Sequence, residues 1–270
     1  MNKIIGKKKL IRHHYNKIYH YTFIVIITFI VLFVGSICVY GYNSGSCKIK
    51  KNYVSSKDFS LYKEFQNALP SNLSKNIDVM LNNKSIQKNV SIHMYPETLF
   101  NCALPNKSGV TISTQNIMKY APNIINYYQN ELCKIVSKKI NLKLQPTDLT
   151  FPTSCAILIY EKEGDWINWH YDYNYYNGRF FTVLVPITNE LTCTEFQLKD
   201  DNNNIKSINL TNNNCLCFEG DYLYHRASKL CKNQKRVLLS CQYVTDNNMS
   251  FVNKLRIKIK DFAYTGKLVN

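Results

Sequence analysis

His170 and Asp172 stand two residues apart in INWHYDYNYYNGRFFTVLVPI, and His225 lies 53 residues beyond Asp172 in GDYLYHRASKL. On an extended chain, residues i and i+2 face the same side. The imidazole and the carboxylate therefore point together, and a second imidazole from a distant strand would complete a set of three. Two imidazoles and one carboxylate on one face of an octahedral ferrous ion leave three positions open. Those suffice for a chelating 2-oxo acid and O₂. Beyond residue 40 the chain has only three histidines, His93, His170 and His225, and two of them fall in this set. The competing reading is a chance surface pair at His170 and Asp172, with His225 a satisfied core histidine.

Arg236 follows His225 by eleven residues and opens the run RVLLSCQYV. In a strand, Arg236, Leu238 and Ser240 share a face. A guanidinium aimed into a barrel is costly unless paired. A carboxylate is a fitting partner, held by charge-assisted and bidentate hydrogen bonds, and Ser240 is placed to add another. Alternatively, Arg236 sits at the strand start and faces solvent. Lys235 points to the opposite face.

These residues need rigid elements to carry them. After Pro146 the sequence turns β-rich, with CAILIY (155–160), FFTVLVPI (180–187), TEFQLK (194–199), IKSINL (205–210), NCLCFE (214–219) and RVLLSCQYV (236–244). Turn signals separate them, including Asn177-Gly178 and Glu219-Gly220-Asp221. Six strands with no helical pattern between them predict an antiparallel sandwich or barrel over residues 150–270. Upstream, residues 58–149 read as a helical and loop support region. Within it, residues 58–69 suggest a short amphipathic helix ending at Pro70. Residues 71–113 suggest loops with one or two strands. Residues 115–140 carry a helical apolar stripe, with Pro122 as a break or an early-turn residue.

Tyr21 to Tyr40 reads YTFIVIITFIVLFVGSICVY, and thirteen of its twenty residues are Leu, Ile, Phe or Val. Twenty helical residues span about 30 Å, the thickness of a bilayer's hydrocarbon layer. Tyr19, Tyr21, Tyr40 and Tyr42 fall where interfacial aromatics sit. The segment predicts an uncleaved transmembrane anchor at 21–40, behind a basic cytosolic tail at 1–20 and before a stalk at 41–57. Residues 6–20 hold five Lys or Arg and residues 41–55 hold three, a bias that places the C-terminal domain in the lumen or outside the cell.

The net charge of +16 is unevenly spread. Ten basic residues and no acidic ones precede Asp58, so residues 58–270 carry 24 basic and 18 acidic groups, a net of +6. That is no polyanion-binding stripe, and no nucleic-acid partner is expected. Sequons at Asn72, Asn83, Asn89, Asn106, Asn209 and Asn248 fit a lumenal glycoprotein. Nine cysteines beyond the anchor permit disulfides and leave at least one unpaired. Cys215-x-Cys217 without a second pair is a poor zinc signal and reads better as alternating strand residues or half of a disulfide.

His170-x-Asp172, the distal His225 and Arg236 resemble the 2-oxoglutarate/Fe(II)-dependent oxygenases, in particular their prolyl 4-hydroxylase-like branch. Tyr160, ten residues before the first ligand, matches as well, as do Arg179 and Thr182 in an Arg-x-x-Thr strand and the Gly220-Asp221 turn. The likeness covers about residues 150–245. It implies a double-stranded β-helix (jelly-roll) braced by helices, so the expected fold is mainly β with supporting helices behind one transmembrane helix. It implies iron on His170, Asp172 and His225, and the 2-oxoglutarate tail on Arg236, with Tyr160, Thr182 and Ser240 in the same pocket. The implied cofactors are Fe(II), 2-oxoglutarate and O₂, with ascorbate as an accessory. Pro186 and Ile187 stand where relatives often have Tyr-Leu, which removes a second tail-binding Tyr. The resulting expectation is a membrane-anchored dioxygenase that hydroxylates a C–H bond of a protein or peptide, peptidyl proline or lysine first. Its rivals are a non-catalytic lumenal binding protein on the same scaffold and a nucleic-acid demethylating oxygenase. Trp166, Trp169, Tyr171, Tyr173, Tyr175 and Tyr176 are candidates for a substrate platform at the mouth.

Overall fold

The computed structural model describes residues 17–36, 61–66, 69–93, 105–190, 193–200, 202, 204–212 and 214–265. The chain divides into two units, residues 1–44 and 45–270. In the first, helix α1 (Lys17–Ser36) has a mean hydropathy of 2.2 and none of its apolar window is buried. It covers most of the expected anchor. The last four residues of that segment, the stalk and most of the basic tail lie outside the described residues.

In the second unit the order is β1 (Tyr62–Gln66), α2 (Ser71–Asn82), β2 (Lys88–Ile92), β3 (Lys107–Ile112), α3 (Thr114–Tyr120), α4 (Pro122–Asn126), a π-helical turn (Tyr127–Leu132), α5 (Cys133–Ile140) and β4 (Gln145–Pro146). Then come β5 (Cys155–Tyr160), β6 (Trp166–His170), β7 (Phe180–Glu190), β8 (Phe196–Lys199), β9 (Ile205–Ile208), β10 (Asn214–Glu219), β11 (Tyr224–Ala227), β12 (Lys235–Val244) and α6 (Phe251–Thr265). The strands pair antiparallel in the order β1-β10-β7-β12-β5-β3-β6-β11-β8-β9, with β2 on β3 and β4 on β12. Opposite β2, β3 pairs with β5 along residues 110–112 and with β6 along residues 107–108. The sheet diverges there into a second leaf, β6-β11-β8-β9, and curls into a jelly-roll.

Period-two patterning decides which side chains meet. On β12, Val237, Leu239, Cys241 and Tyr243 face the helices, while Arg236, Leu238, Ser240 and Gln242 face the interior cavity. On β5, Cys155, Ile157 and Ile159 alternate in the same way with Ala156, Leu158 and Tyr160. Both faces are covered, so these strands read as continuous apolar runs. Leu73, Ile77 and Met80 of α2, with Ile117, Ile124, Tyr128, Leu132, Val136 and Ile140 of the α3–α5 stretch, close the outer face. This is the helical bracing expected over residues 115–140, and Pro122 starts α4 as an early-turn residue.

Three expectations need correction. Residues 62–66 form an edge strand, not a helix, because β10 offers an unpaired edge and only Phe65 needs burial. Residues 71–82 form a helix where loops were expected, since Leu73, Ile77 and Met80 at helical spacing outweigh the Asn and Ser content. Beyond the six expected strands, β6 and β11 add two that carry both histidines; their alternating polar content hid them. Helix α6 has no counterpart in the sequence reading.

Cys193 and Cys231 form a disulfide. Cys133, Cys155, Cys215, Cys217 and Cys241 are buried and form no disulfide, with Cys215 and Cys217 alternating on the helix-facing side of β10. Cys47 and Cys102 lie outside the described residues. Among the sequons, Asn72, Asn89, Asn209 and Asn248 are exposed and Asn83 is half-buried. Asn106 is 1% exposed, which leaves no room for a glycan there.

Candidate active site

β6 and β11 pair so that His225 lies directly opposite His170, with ring centroids 4.2 Å apart. Each imidazole donates its Nδ1–H to the carbonyl two residues earlier: His170 to Asn168 at 2.7 Å and His225 to Leu223 at 2.8 Å. A carbonyl can only accept, so these bonds fix the tautomer and leave the Nε2 lone pair of each ring free for a metal. Both Nε2 atoms turn toward Asp172 Oδ1, at 3.6 Å from His170 and 3.9 Å from His225. One ligand atom from each of the three residues lies within 4.8 Å of the others, and among the described residues no other such group forms. Burial first, and His170 next, push the His225 imidazole down to about 4 against the pull of Asp172, so it is neutral near pH 7. Burial would raise the Asp172 carboxyl. The two imidazoles and the Thr182 hydroxyl outweigh it and hold the group well below the usual carboxylate range.

Asp172 lies just beyond β6, where strand pairing no longer holds it, and is fastened from three sides. Its amide donates to Gly220 O at 2.9 Å. Its Oδ2 accepts from Thr182 Oγ1 at 2.6 Å. A Cβ at Gly220 would come within 2.5 Å of the Asp172 side chain, so this position needs glycine for close approach. The turn carrying Gly220 is itself tied down, since buried Glu219 accepts two hydrogen bonds from Arg179, at 2.9 and 2.7 Å. Thr182 is expected in the co-substrate pocket. It lines that cavity, and its hydroxyl is spent on the carboxylate of Asp172, a candidate metal ligand.

Arg236 pairs with Tyr160 across β12 and β5, and its guanidinium carbon sits 4.6 Å from the Tyr160 ring centroid. The side chain is 1% exposed, and neither Nε nor Nη2 has a hydrogen-bond partner. Burial pushes its pKa down, opposed by Tyr160, whose own phenol burial pushes up to about 12. A buried cation with empty donors calls for an anion. Tyr160, Ser240 and Thr182 line the same cavity as the three metal-ligand candidates. The residues present thus fit both an Fe(II) ion and a dicarboxylate co-substrate.

Of the six aromatics proposed for the mouth, Tyr171 and Tyr173 line the cavity. Trp169 instead packs between Tyr224 and Arg226 outside it, and Trp166 lies under Lys229. Tyr175 and Tyr176 join Phe151 and Phe180 in a separate apolar cluster. The platform therefore shrinks to two residues. His93 is exposed and takes no part.

No protein-family model matches the sequence, and no curated protein matches it. Solved structures do match in fold. A 2OG-Fe(II) oxygenase family oxidoreductase from Burkholderia pseudomallei superimposes with a TM-score of 0.53 at 9% identity, over 80% of this chain and 92% of the other. AviO1 from Streptomyces viridochromogenes Tue57 gives 0.52 at 9% identity, over 72% and 93%. The non-heme alpha ketoglutarate dependent epimerase SnoN from nogalamycin biosynthesis gives 0.50 at 9% identity, over 68% and 76%.

Proposed function

We propose that this chain, which has the fold of the 2-oxoglutarate/Fe(II) oxygenases, is a membrane-anchored dioxygenase that hydroxylates a C–H bond while decarboxylating 2-oxoglutarate to succinate. The observation that carries this reading is one cavity holding two opposed kinds of unfinished site. At one end are two imidazole lone pairs and a carboxylate; at the other is a buried guanidinium with unfilled donors. A ferrous ion bound there supplies the oxidising chemistry from O₂ and the 2-oxo acid. The chain's residues do the rest. The Asn168 and Leu223 carbonyls orient the imidazoles, Thr182 and Gly220 hold the carboxylate, and Arg236 sets the direction of the co-substrate. Leu158, Leu184, Phe196, Phe218 and Leu238 line the cavity and exclude water from it.

The substrate reading is a protein or peptide, with proline or lysine first. It rests on the resemblance to the prolyl 4-hydroxylase-like branch and on Tyr171 and Tyr173, which line the cavity. The anchor reading rests on the apolar helix near the N-terminus. A lumenal or extracellular domain is supported by the Cys193–Cys231 disulfide, a bond typical of oxidising compartments, and by the exposed sequons. The full chain, purified in detergent and supplied with Fe(II), should convert 2-oxoglutarate to succinate, and mass spectrometry of lumenal proteins should reveal an added oxygen that depends on the enzyme. Full succinate production by an Asp172→Ala variant would refute the ligand assignment.

A further inference from the structure

Among the described residues, five buried cysteines outside the Cys193–Cys231 bond belong to the helix-facing core, and the proposed reaction uses none of them. Two of the five meet. Cys155 on β5 and Cys241 on β12 stand directly opposite each other in the strand register. Both are 0% exposed, and their Sγ atoms are 4.0 Å apart.

The backbone around them shows which kind of pair this is. Next along the two chains, Gln242 N donates to Ser154 O at 2.9 Å. In an antiparallel ladder, hydrogen-bonded and non-hydrogen-bonded pairs alternate, so Cys155 and Cys241 form a non-hydrogen-bonded pair. In keeping with this, the Cys155 amide donates away from β12, to Thr114 Oγ1 at 3.1 Å. Such pairs bring the Cα atoms to about 4.5 Å and the side chains closest together. That separation lies within the roughly 4.4–6.8 Å that a disulfide spans. The other buried cysteines fit less well. Cys217 lies in the same row, but Val183 of β7 stands between it and Cys241, so two strand spacings, about 9.5 Å, part them. Cys215 is two residues along β10 from Cys217, and the Cys133 thiol donates to Leu144 O at 3.5 Å.

We infer that Cys155 and Cys241 are a redox site whose oxidised form is a cross-strand disulfide, formed in the lumenal chain. The inference rests on the lumenal reading above. Each thiol gives up its hydrogen and the two sulfurs join. The two electrons and two protons pass to a small-molecule disulfide such as oxidised glutathione, which leaves as two thiols. The pair is buried beneath the helices, so this exchange belongs to the stage of folding before they cover the sheet. The bond ties β5 to β12 five residues along each strand from the Tyr160–Arg236 pair. It closes a loop between residues 86 apart in the chain, a constraint that acts on the unfolded state.

The test is thiol mapping on the full chain, made in the secretory pathway and, in parallel, made cell-free in detergent with oxidised glutathione. Each sample is denatured with N-ethylmaleimide before any reductant is added, and its peptides are read by mass spectrometry. A linked peptide holding Cys155 and Cys241, two hydrogens lighter than the sum of its parts, is expected in both samples. Cys215 and Cys217 should carry the label. In a Cys155→Ala variant Cys241 should become labelled, and the wild-type linkage stands as the measurement if that variant fails to fold. The Cys193–Cys231 bond is the internal control. Labelled Cys155 and Cys241 in a chain whose Cys193–Cys231 bond is intact would overturn the inference, as would a link from either one to another cysteine. A secretory-pathway chain with both pairs labelled would instead overturn the lumenal reading, and the glutathione sample would then decide the pair.

Discussion

The two faces of β12 are built from alternate residues of one ten-residue strand and could hardly differ more. Toward the helices, Val237, Leu239, Cys241 and Tyr243 are fully buried among apolar neighbours. The polar atoms there mostly find one another: Tyr243 donates to Tyr128 O, and the Tyr128 hydroxyl donates to Gln242 O, both at 2.8 Å. Among the described residues, the Tyr127 hydroxyl alone is left over on that side. Toward the cavity, the same strand buries Arg236 with two unpaired nitrogens, in a cavity it shares with an unpaired Thr111 hydroxyl and the three metal-ligand candidates. The helix-facing side is nearly complete in itself, whereas the inner face leaves a buried cation and a hydroxyl unpaired. Stability and function are therefore separated by a single residue step along the backbone.

That separation can be broken or sharpened by substitution. The largest effect is expected at the metal end: His170→Ala or Asp172→Ala should reduce Fe(II)-dependent succinate formation to background while the fold survives, as judged by circular dichroism. Next, Leu239→Ala on the helix-facing side should cost about 2–5 kcal/mol of stability, read as a lowered thermal midpoint. On the other face of the same strand the pattern reverses. Arg236→Met removes a buried unpaired charge, so the thermal midpoint should hold or rise, whereas 2-oxoglutarate affinity should fall about 10- to 100-fold. A fall in stability comparable to that of Leu239→Ala would erase the contrast between the faces. Gly220→Ala should push on Asp172 and weaken Fe(II) binding about 10- to 100-fold, the range typical of groups that orient ligands. The smallest effect belongs to exposed His93: His93→Ala should change neither stability nor turnover, and a loss of activity there would mean that a metal ligand has been misassigned.

The strand runs at 155–160 and 214–219 are legible to the residue, because apolar β-rich segments bounded by turns leave few alternatives. β6 and β11 escape that reading because His170, Asn168, His225 and Arg226 break their apolar pattern, and it is the site that breaks it. The edge strand β1 was unreadable for another reason. Its sequence suggests a short amphipathic helix, and its pairing with β10 decides otherwise.

By itself the sequence determined the identities of the three metal-ligand candidates and the inward face of Arg236, since a two-residue period and the chemistry of each side chain are local properties. Only the tertiary structure decided that His170 and His225 lie in register, that Gly220 makes room for Asp172, and that Thr111 shares a cavity with Arg236. Each of those is a contact between segments far apart in the chain. Such contacts are set by strand pairing and close packing, which no local pattern encodes.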